Sequence, residues 1–258
     1  MKYGFIGAGN MGSAIINGML KSKRFKDIVA YDIQKEKVQA FHNKVKYLSF
    51  DALVKQADII VLAVKPQMME GVLEKLKDYD ITKKLFISIA AGYSCGDFEE
   101  ALDCKVVRAM PNLNAIYGAS ITALCKGKKA TKKDLSIAEA MFEAVGETML
   151  LEEKQLRAFG AIAGASPAYT YMYADALAMA AVKAGLPRDV AIEVAAKSIQ
   201  GSATTLLESH MHPDLLRDKV CSPGGTTIEG VHVLEEEGFK GLVMEAIDAV
   251  IEKDKKLK

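Results

Sequence analysis

The sequence lacks an excess of charge of either sign and lacks any long hydrophobic run. Its 258 residues carry 34 Lys and Arg against 33 Asp and Glu, a net charge of +1. Balanced charge provides no basic field for nucleic acid and no polybasic stretch for an anionic membrane. The apolar runs are far shorter than the ~18 residues that a membrane span needs. We therefore expect neither nucleic acid nor membrane among the partners.

Cysteine is also scarce, and its spacing is irregular. Cys95, Cys104, Cys125 and Cys221 form no C-x-x-C pair, which argues against a disulfide framework or a zinc site and predicts no metal. Such usage is typical of a reducing compartment, so we expect a cytoplasmic protein. The apolar N-terminus is interrupted by glycines, unlike the unbroken core of a signal peptide.

Short apolar strands alternate with helical patterns over residues 1–150. Strands are predicted at residues 3–6, 28–31, 45–48, 59–64, 85–89, 105–108, 120–124 and 147–151. A continuous apolar run such as 59–64 is typical of a strand covered on both faces. This alternation predicts an α/β fold whose first domain is a Rossmann-like, doubly wound, mostly parallel sheet that binds a dinucleotide.

The pattern changes at residue 151, and residues 151–258 are predicted to form an all-helical domain. Helices are expected at 152–163, 167–184, 187–208, 213–219, 226–237 and 239–256. The helix over 167–184 has almost no polar face, so it must be buried nearly all round. Burial between two subunits predicts an intertwined homodimer. The alternative is a central helix within one monomer.

A glycine-rich turn follows the first strand and opens the first helix. It reads Gly7-Ala8-Gly9-Asn10-Met11-Gly12 after Ile6, which is the context of a dinucleotide fingerprint. Gly7 permits the tight turn, Gly9 lets the backbone approach a pyrophosphate, and Gly12 lets helix and strand pack closely. The turn predicts NADH or NADPH as cofactor.

Asp32 ends the second strand, 20 positions after Gly12, where an acid accepts hydrogen bonds from the adenosine ribose. Its charge would disfavour a 2′-phosphate, so NADH is expected to serve at least as well as NADPH. Lys35 and Lys37 lie close in sequence and weaken that preference. The alternative interpretation is that Asp32 caps the following helix.

Three further segments leave strands at the edge where ligands bind in open α/β sheets. They are Ala63–Gln67, Ser88–Gly92 and Arg108–Asn112. Pro66 enforces an extended exit and starts the next helix. A lysine at a helix start opposes the dipole, so Lys65 is a candidate ligand contact rather than a plain surface lysine.

Near the C-terminus, Cys221–Thr227 runs into a helical pattern. Gly224 and Gly225 allow a sharp turn, and Thr226 and Thr227 bring hydroxyls and unpaired amides to the helix start. The first four N–H groups of a helix lack intrahelical partners, which favours a small carboxylate or phosphate ligand. The alternative is an ordinary turn followed by a threonine-capped helix.

Together these stretches resemble the 1-pyrroline-5-carboxylate reductase family. The matching motifs run in order along nearly the whole chain: Phe5–Gly12, Ala63–Gln67, Arg108–Asn112, Gly164–Tyr169 and Val220–Thr227. The most specific is Ser-Pro-Gly-Gly-Thr-Thr at 222–227. The resemblance implies a Rossmann domain joined to a helical domain that intertwines into a dimer, often assembled into decamers. It also implies NAD(P)H-dependent reduction of a cyclic imino acid to L-proline, the last step of proline biosynthesis.

The resemblance also implies roles for individual residues. Gly7, Gly9, Asn10, Met11 and Gly12, with Ile6 and Asp32, would bind the adenosine and pyrophosphate portion, and Ala63, Val64, Lys65 and Pro66 the nicotinamide half. Val220, Ser222, Gly224, Gly225, Thr226 and Thr227 would form the substrate cradle, completed by the partner subunit. Thr227 is the candidate for the catalytic group that faces the ring nitrogen. His210 and His212 suggest neither a metal pair nor a relay, and a packed or surface role is expected for His232.

Three stretches depart from the common family pattern. Leu113-Asn114 follows Met-Pro-Asn where many relatives have Thr-Pro, and Gly164-Ala165-Ser166-Pro167 stands where many have Gly-Ser-Gly-Pro. Phe50 occupies a position where relatives often have an asparagine near the adenosine ribose. These departures bear on cofactor selectivity and leave the reaction class unchanged.

Two other functions remain open from the residues. A β-hydroxyacid dehydrogenase would carry a catalytic lysine on the helix over 167–184, whose only lysine is Lys183 at its end. Reduction of other cyclic imines is a related possibility. A nucleotide-binding regulator could retain the first fingerprint while its substrate loop decays, but Ser222–Thr227 is intact.

Overall fold

The computed structural model describes residues 1–256 and forms two compact units. One unit comprises Met1–Gly164 together with the chain from Ile251 onward, and the other comprises Ala165–Val250. The predicted division after residue 150 follows the end of the last strand, whereas the compact units divide after Gly164. The reason is that Leu156, beyond the last strand, is fully buried in the core of the sheet unit.

The first unit is built on an eight-stranded sheet. Its strands are β1 (Tyr3–Ile6), β2 (Ile28–Tyr31), β3 (Lys46–Tyr47), β4 (Ile59–Leu62), β5 (Leu85–Ser88), β6 (Lys105–Met110), β7 (Ser120–Lys126) and β8 (Gly146–Leu150). Their order is β3-β2-β1-β4-β5-β6-β7-β8, and every pair is parallel except β6 with β7. The predicted doubly wound, mostly parallel sheet is confirmed. Strands β2 and β3 lie on one side of β1, and β4 and the later strands lie on the other side. The switch in strand order between β1 and β4 is where such folds bind ligands.

Helices cover both faces of this sheet. They are α1 (Asn10–Ser22), α2 (Lys35–Gln39), α3 (Phe50–Gln56), α4 (Pro66–Leu76), α5 (Cys95–Leu102), α6 (Lys132–Phe142) and the short α7 (Leu156–Phe159). Successive strand residues point to opposite faces, so Phe5 joins one hydrophobic cluster and Ile6 the other. Reciprocal capping boxes start two of the helices, with Ser94 at α5 and Thr131 at α6.

Two predicted helices are shorter or less regular than expected. The sequence from Lys35 to Asn43 has a helical pattern, but α2 ends at Gln39, because His42 and Asn43 adopt left-handed conformations (φ 48° and 64°) that a right-handed helix cannot contain. The helix expected over 152–163 is divided into a 3₁₀ turn, α7 and a π turn at Gly160–Gly164. In that π turn, Gly160 lies against Met110, where a side chain would collide with its sulfur.

The second unit is all-helical, as predicted. It contains α8 (Ser166–Lys183), α9 (Arg188–Ser209), α10 (Pro213–Val220), α11 (Thr226–Glu236) and most of α12 (Phe239–Asp254). Its buried core is a small alanine cluster where α8 packs on α9, namely Ala178, Ala191 and Ala195. Along residues 1–256, no helix has both the length and the apolarity needed to cross a membrane.

Candidate active site

The glycine turn between β1 and α1 is closely packed on one side and open on the other. Gly7 has φ +103°, and a Cβ there would lie 2.5 Å from the Ala63 carbonyl oxygen. A Cβ on Gly12 would lie 2.6 Å from the Gly7 oxygen. Gly9 has no atom within 4 Å of its Cβ position and begins α1 without a side-chain cap. Gly7 and Gly12 therefore permit the fold, while Gly9 leaves room for a ligand.

Asp32 lies directly beneath this turn. It is buried, and its Oδ2 accepts a hydrogen bond from Ala8 N–H at 2.8 Å while Oδ1 accepts one from Gln34 N–H at 2.9 Å. Helix α2 begins after Gln34 and has no side-chain cap, so Asp32 is not its cap residue. The alternative interpretation of Asp32 as a helix cap is therefore wrong.

A cleft of about 490 Å³ lies over the carboxyl ends of β1, β2 and β4. It is lined by most of the residues predicted to bind the cofactor: Ile6, Gly7, Gly9, Asp32, Ala63, Val64 and Lys65. Asn10, Met11 and Gly12 form the first turn of α1, whose unpaired amides adjoin it. Pro66 is the first residue of α4, and Lys65 precedes it with an exposed side chain. The volume of the cleft is suited to a nucleotide. The glycine turn leaves room for the ligand, and the unpaired amides at the start of α1 can bind its phosphates.

One wall of this cleft was not predicted from the sequence. Helix α4 contributes Met68, Gly71, Val72 and Lys75, and Lys75 lies 5.9 Å from the centroid of the Phe50 ring. Their spacing of three to four residues places them on one helix face, which is the signal that could have identified them.

The two lysines that follow Asp32 have different positions. Lys37 lines the cleft with its Nζ 3.9 Å from Asp32 Oδ1. Lys35 instead lies over the Tyr47 ring, with Nζ 5.2 Å from the ring centroid. Only Lys37 of this pair is therefore placed to offset the Asp32 charge at the cleft.

Asn112 holds the end of β6 in place. Its Nδ2 donates to the Ala163 carbonyl at 3.0 Å, and its Oδ1 accepts from Asn114 N–H at 3.1 Å. Its own N–H donates to Ser120 Oγ at 3.2 Å. With these bonds, Asn112 is buried and ties the exit of β6 to the π turn that follows α7.

The predicted substrate cradle forms the connection between α10 and α11 in the second unit. Val220 ends α10, and Gly224 takes a left-handed conformation at φ +66°. Gly225 donates its N–H to the Ser222 carbonyl at 3.0 Å and precedes the first residue of α11. No threonine side chain caps α11, so the alternative of a threonine-capped helix is wrong. Thr226 and Thr227 occupy the first turn with exposed side chains, and the amides there have no intrahelical acceptor.

The histidines of the second unit have structural or surface positions. His212 caps α10 by accepting from Asp214 N–H at 3.2 Å. His232 Nε2 lies 3.4 Å from Glu236 on the exposed face of α11, in agreement with the expected surface role.

Comparison with known proteins identifies the family. Residues 153–257 match a family model described as pyrroline-5-carboxylate reductase dimerisation, and residues 2–92 match one described as NADP oxidoreductase, coenzyme F420-dependent. The chain is 40% identical to the pyrroline-5-carboxylate reductase of Escherichia coli K12, over 99% of this chain and 98% of that one. It is 39% identical to the enzyme of Methanosarcina acetivorans, over 99% and 97%.

A solved structure agrees with these sequence matches. The Plasmodium falciparum pyrroline carboxylate reductase with NADP bound superimposes with a TM-score of 0.91 at 33% identity, covering 100% of this chain and 98% of that one. The fold and the cleft thus define a dinucleotide-binding oxidoreductase. At 40% identity along nearly its whole length, the chain belongs to the pyrroline-5-carboxylate reductase family.

Proposed function

We propose that this chain reduces 1-pyrroline-5-carboxylate to L-proline with NADH or NADPH, the last step of proline biosynthesis. Family membership over the whole chain is the observation that carries the proposal. The open glycine turn and the unpaired amides of the first turn of α11 support it. When bound, NADH or NADPH would supply the hydride that the imine carbon accepts, and the ring nitrogen would carry or gain a proton.

The start of α11 orients the substrate. The substrate carboxylate accepts hydrogen bonds from the unpaired amides of Thr226 and Thr227, where the helix dipole favours an anion. Thr227 Oγ faces the ring nitrogen and forms a hydrogen bond with it. A threonine hydroxyl is a weak acid, so Thr227 orients the iminium while the proton comes from the protonated substrate or from water.

The residues that line the cleft are suited to bind a nicotinamide dinucleotide. The amides at the start of α1 would bind the pyrophosphate, and Asp32 would accept hydrogen bonds from the ribose hydroxyls. A carboxylate repels a 2′-phosphate, so we expect NADH to be used at least as well as NADPH. Lys37 and Lys75 line the same cleft and moderate this preference.

The proposed assembly is a homodimer through the helical unit, with a decamer as a further level. In one chain, α8 exposes large apolar side chains along its length, including Tyr171, Met172, Tyr173 and Met179. Contiguous apolar surface of this kind is typical of a subunit interface. The pattern agrees with a helix buried between two copies. We place the protein in the cytoplasm because the irregular spacing of its four cysteines is not that of a disulfide framework.

The decisive assay follows the oxidation of NADH and of NADPH by absorbance, with 1-pyrroline-5-carboxylate as substrate. We expect turnover with L-proline as product. A hydroxyacid dehydrogenase would instead turn over 3-hydroxy acids. A regulator would bind nucleotide without turnover, and that result would overturn the proposed function.

A further inference from the structure

Two cysteines and a glutamate from three separate elements come together in the sheet unit. Cys95 begins α5, Cys125 lies on β7, and Glu153 follows β8. The two Sγ atoms are 3.8 Å apart, and one ligand atom from each of the three side chains lies within 4.8 Å of the others. The cysteines are 30 residues apart in sequence, so a search for short metal-binding spacings does not detect them.

The distances fit a shared metal ion. Two sulfurs bound to zinc at ~2.3 Å with a tetrahedral angle are about 3.8 Å apart. A disulfide would require a separation of ~2.05 Å. We propose that Cys95, Cys125 and Glu153 bind one thiophilic divalent cation of the zinc type.

The neighbouring groups suit such a site. The ligands would carry three negative charges and the cation two positive ones, and the Arg108 guanidinium offsets the remainder. Arg108 NH1 lies 3.5 Å from Glu153 Oε1, and its buried Nε has no hydrogen-bond partner in the part of the chain that the structure describes. Cys95 N–H donates to Glu153 Oε1 at 2.6 Å, which orients the carboxylate as outer-shell donors do at metal sites.

The glutamate of the cluster reaches a cavity, while the two cysteines are buried behind it. Glu153, with Ser94 and Arg108, lines this cavity of about 290 Å³, which shares no residue with the cofactor cleft. Water from this cavity would provide the fourth ligand, so the site would have three protein ligands and one open position. A bound cation would join α5, β7 and the segment after β8, so we expect loading to raise the Tm.

The test uses the full-length protein, treated with chelator and reductant and then desalted. Cd²⁺ is the probe, because its bond to thiolate absorbs in the ultraviolet, and Zn²⁺ is added in competition. We expect one equivalent of Cd²⁺ to bind and Zn²⁺ to displace it. Cys104→Ser is the matched control: Cys104 is buried, and its Sγ lies 3.7 Å from the Phe98 carbonyl, outside the cluster.

Variants of the cluster decide the outcome. The double variant Cys95→Ser/Cys125→Ser should lose the absorption, and Glu153→Gln should weaken Cd²⁺ binding by about tenfold or more. Circular dichroism and cofactor binding report whether each variant folds. The proposal would be overturned if the double variant absorbed as strongly as the unmodified protein, or if Cys104→Ser lost as much absorption as the double variant. So would a disulfide between Cys95 and Cys125 without bound metal. If the double variant does not fold, unchanged affinity in Glu153→Gln overturns it.

Discussion

The Asp32 carboxylate accepts a hydrogen bond from the backbone N–H of Ala8 at 2.8 Å. This contact joins the end of β2 to the glycine turn after β1. The other carboxylate oxygen accepts from Gln34 N–H at 2.9 Å, so both oxygens have backbone donors. The negative charge is therefore held in place at the cleft, where it acts both as a brace of the turn and as a candidate ribose acceptor.

Asp32→Asn tests the charge at this position. We expect the ratio of kcat/KM for NADPH to that for NADH to rise about tenfold or more, because like-charge repulsion of a 2′-phosphate is removed. Steady-state assays with both cofactors measure the ratio. Lys35→Gln is the control, since Lys35 lies over Tyr47 and does not line the cleft. An unchanged ratio in Asp32→Asn would contradict the assigned role.

Alanine at the two turn glycines should separate folding from ligand binding. Gly7→Ala introduces a Cβ 2.5 Å from the Ala63 oxygen at φ +103°, so we expect a loss of about 1–3 kcal/mol of stability together with weaker cofactor binding. Gly9→Ala meets no atom within 4 Å, so its stability should change by less than about 1 kcal/mol. Its cofactor affinity should still fall. Thermal unfolding measures the stability of each variant, and NADH titration measures its cofactor affinity. Equal effects of Gly7→Ala and Gly9→Ala on the Tm would contradict the different roles assigned to the two glycines.

The sequence predicted the sheet well because each strand is a short apolar run bounded by turn residues. Burial on both faces makes the 59–64 run continuous, and the structure confirms β4 within it. The π turn at Gly160–Gly164 was not predictable from periodicity. Its contacts are long-range: Gly160 packs against Met110, and the Ala163 carbonyl accepts from Asn112, both about fifty residues earlier in the chain.

The cofactor turn was also predictable, because the glycine spacing encodes a local backbone path. Neither Ala8 as a donor to Asp32 nor the α4 wall with Lys75 was predicted, since both depend on how separate elements pack. The proximity of Cys95 to Cys125 is a further example. Local patterns thus identify segments of the candidate site, while long-range contacts decide what each side chain touches.

The role of Thr227 can be tested by removing only its hydroxyl. Thr227→Ala should lower kcat/KM for 1-pyrroline-5-carboxylate by about 10- to 100-fold, the range expected for one hydrogen bond to a charged group. Thr227→Ser should retain most activity. The control is Thr82→Ala, whose hydroxyl bonds Asp80 in an exposed turn. Turnover and KM both unchanged in Thr227→Ala would show that another group faces the ring nitrogen.

Apolar exposure on α8 predicts how the protein assembles. Met172 is 71% exposed in one chain, and burying a lysine there in an interface is costly. Met172→Lys should therefore shift the solution mass towards that of one chain, as measured by light scattering. The control is Tyr117→Lys, which also replaces an exposed apolar side chain with lysine, at a 90% exposed position on the sheet unit. It should leave the solution mass unchanged. A dimer that survives Met172→Lys would place the interface elsewhere.

Asp214 connects the helix before the substrate cradle to α12 and gives a prediction about pH. The hydrogen bond and charge of Lys240, with Nζ 3.0 Å away, lower the pKa of this carboxyl, and Arg217 adds to the effect. A depressed folded-state pKa stabilises the fold above the ordinary carboxyl value of ~3.9, and this contribution is lost as the pH falls through the folded-state pKa.

Asp214→Asn should therefore lower the Tm at pH 7, and the gap to the unmodified protein should close as the pH falls below about 3.9. Thermal unfolding followed by circular dichroism between pH 3 and 7 measures the gap. Glu245→Gln on α12 removes an exposed carboxylate from the same unit and serves as the control. A Tm difference of constant size at every pH would mean that Asp214 contributes through packing rather than through its charge. Because α10 leads directly into the cradle, the same variant should also raise the KM for the substrate at pH 7.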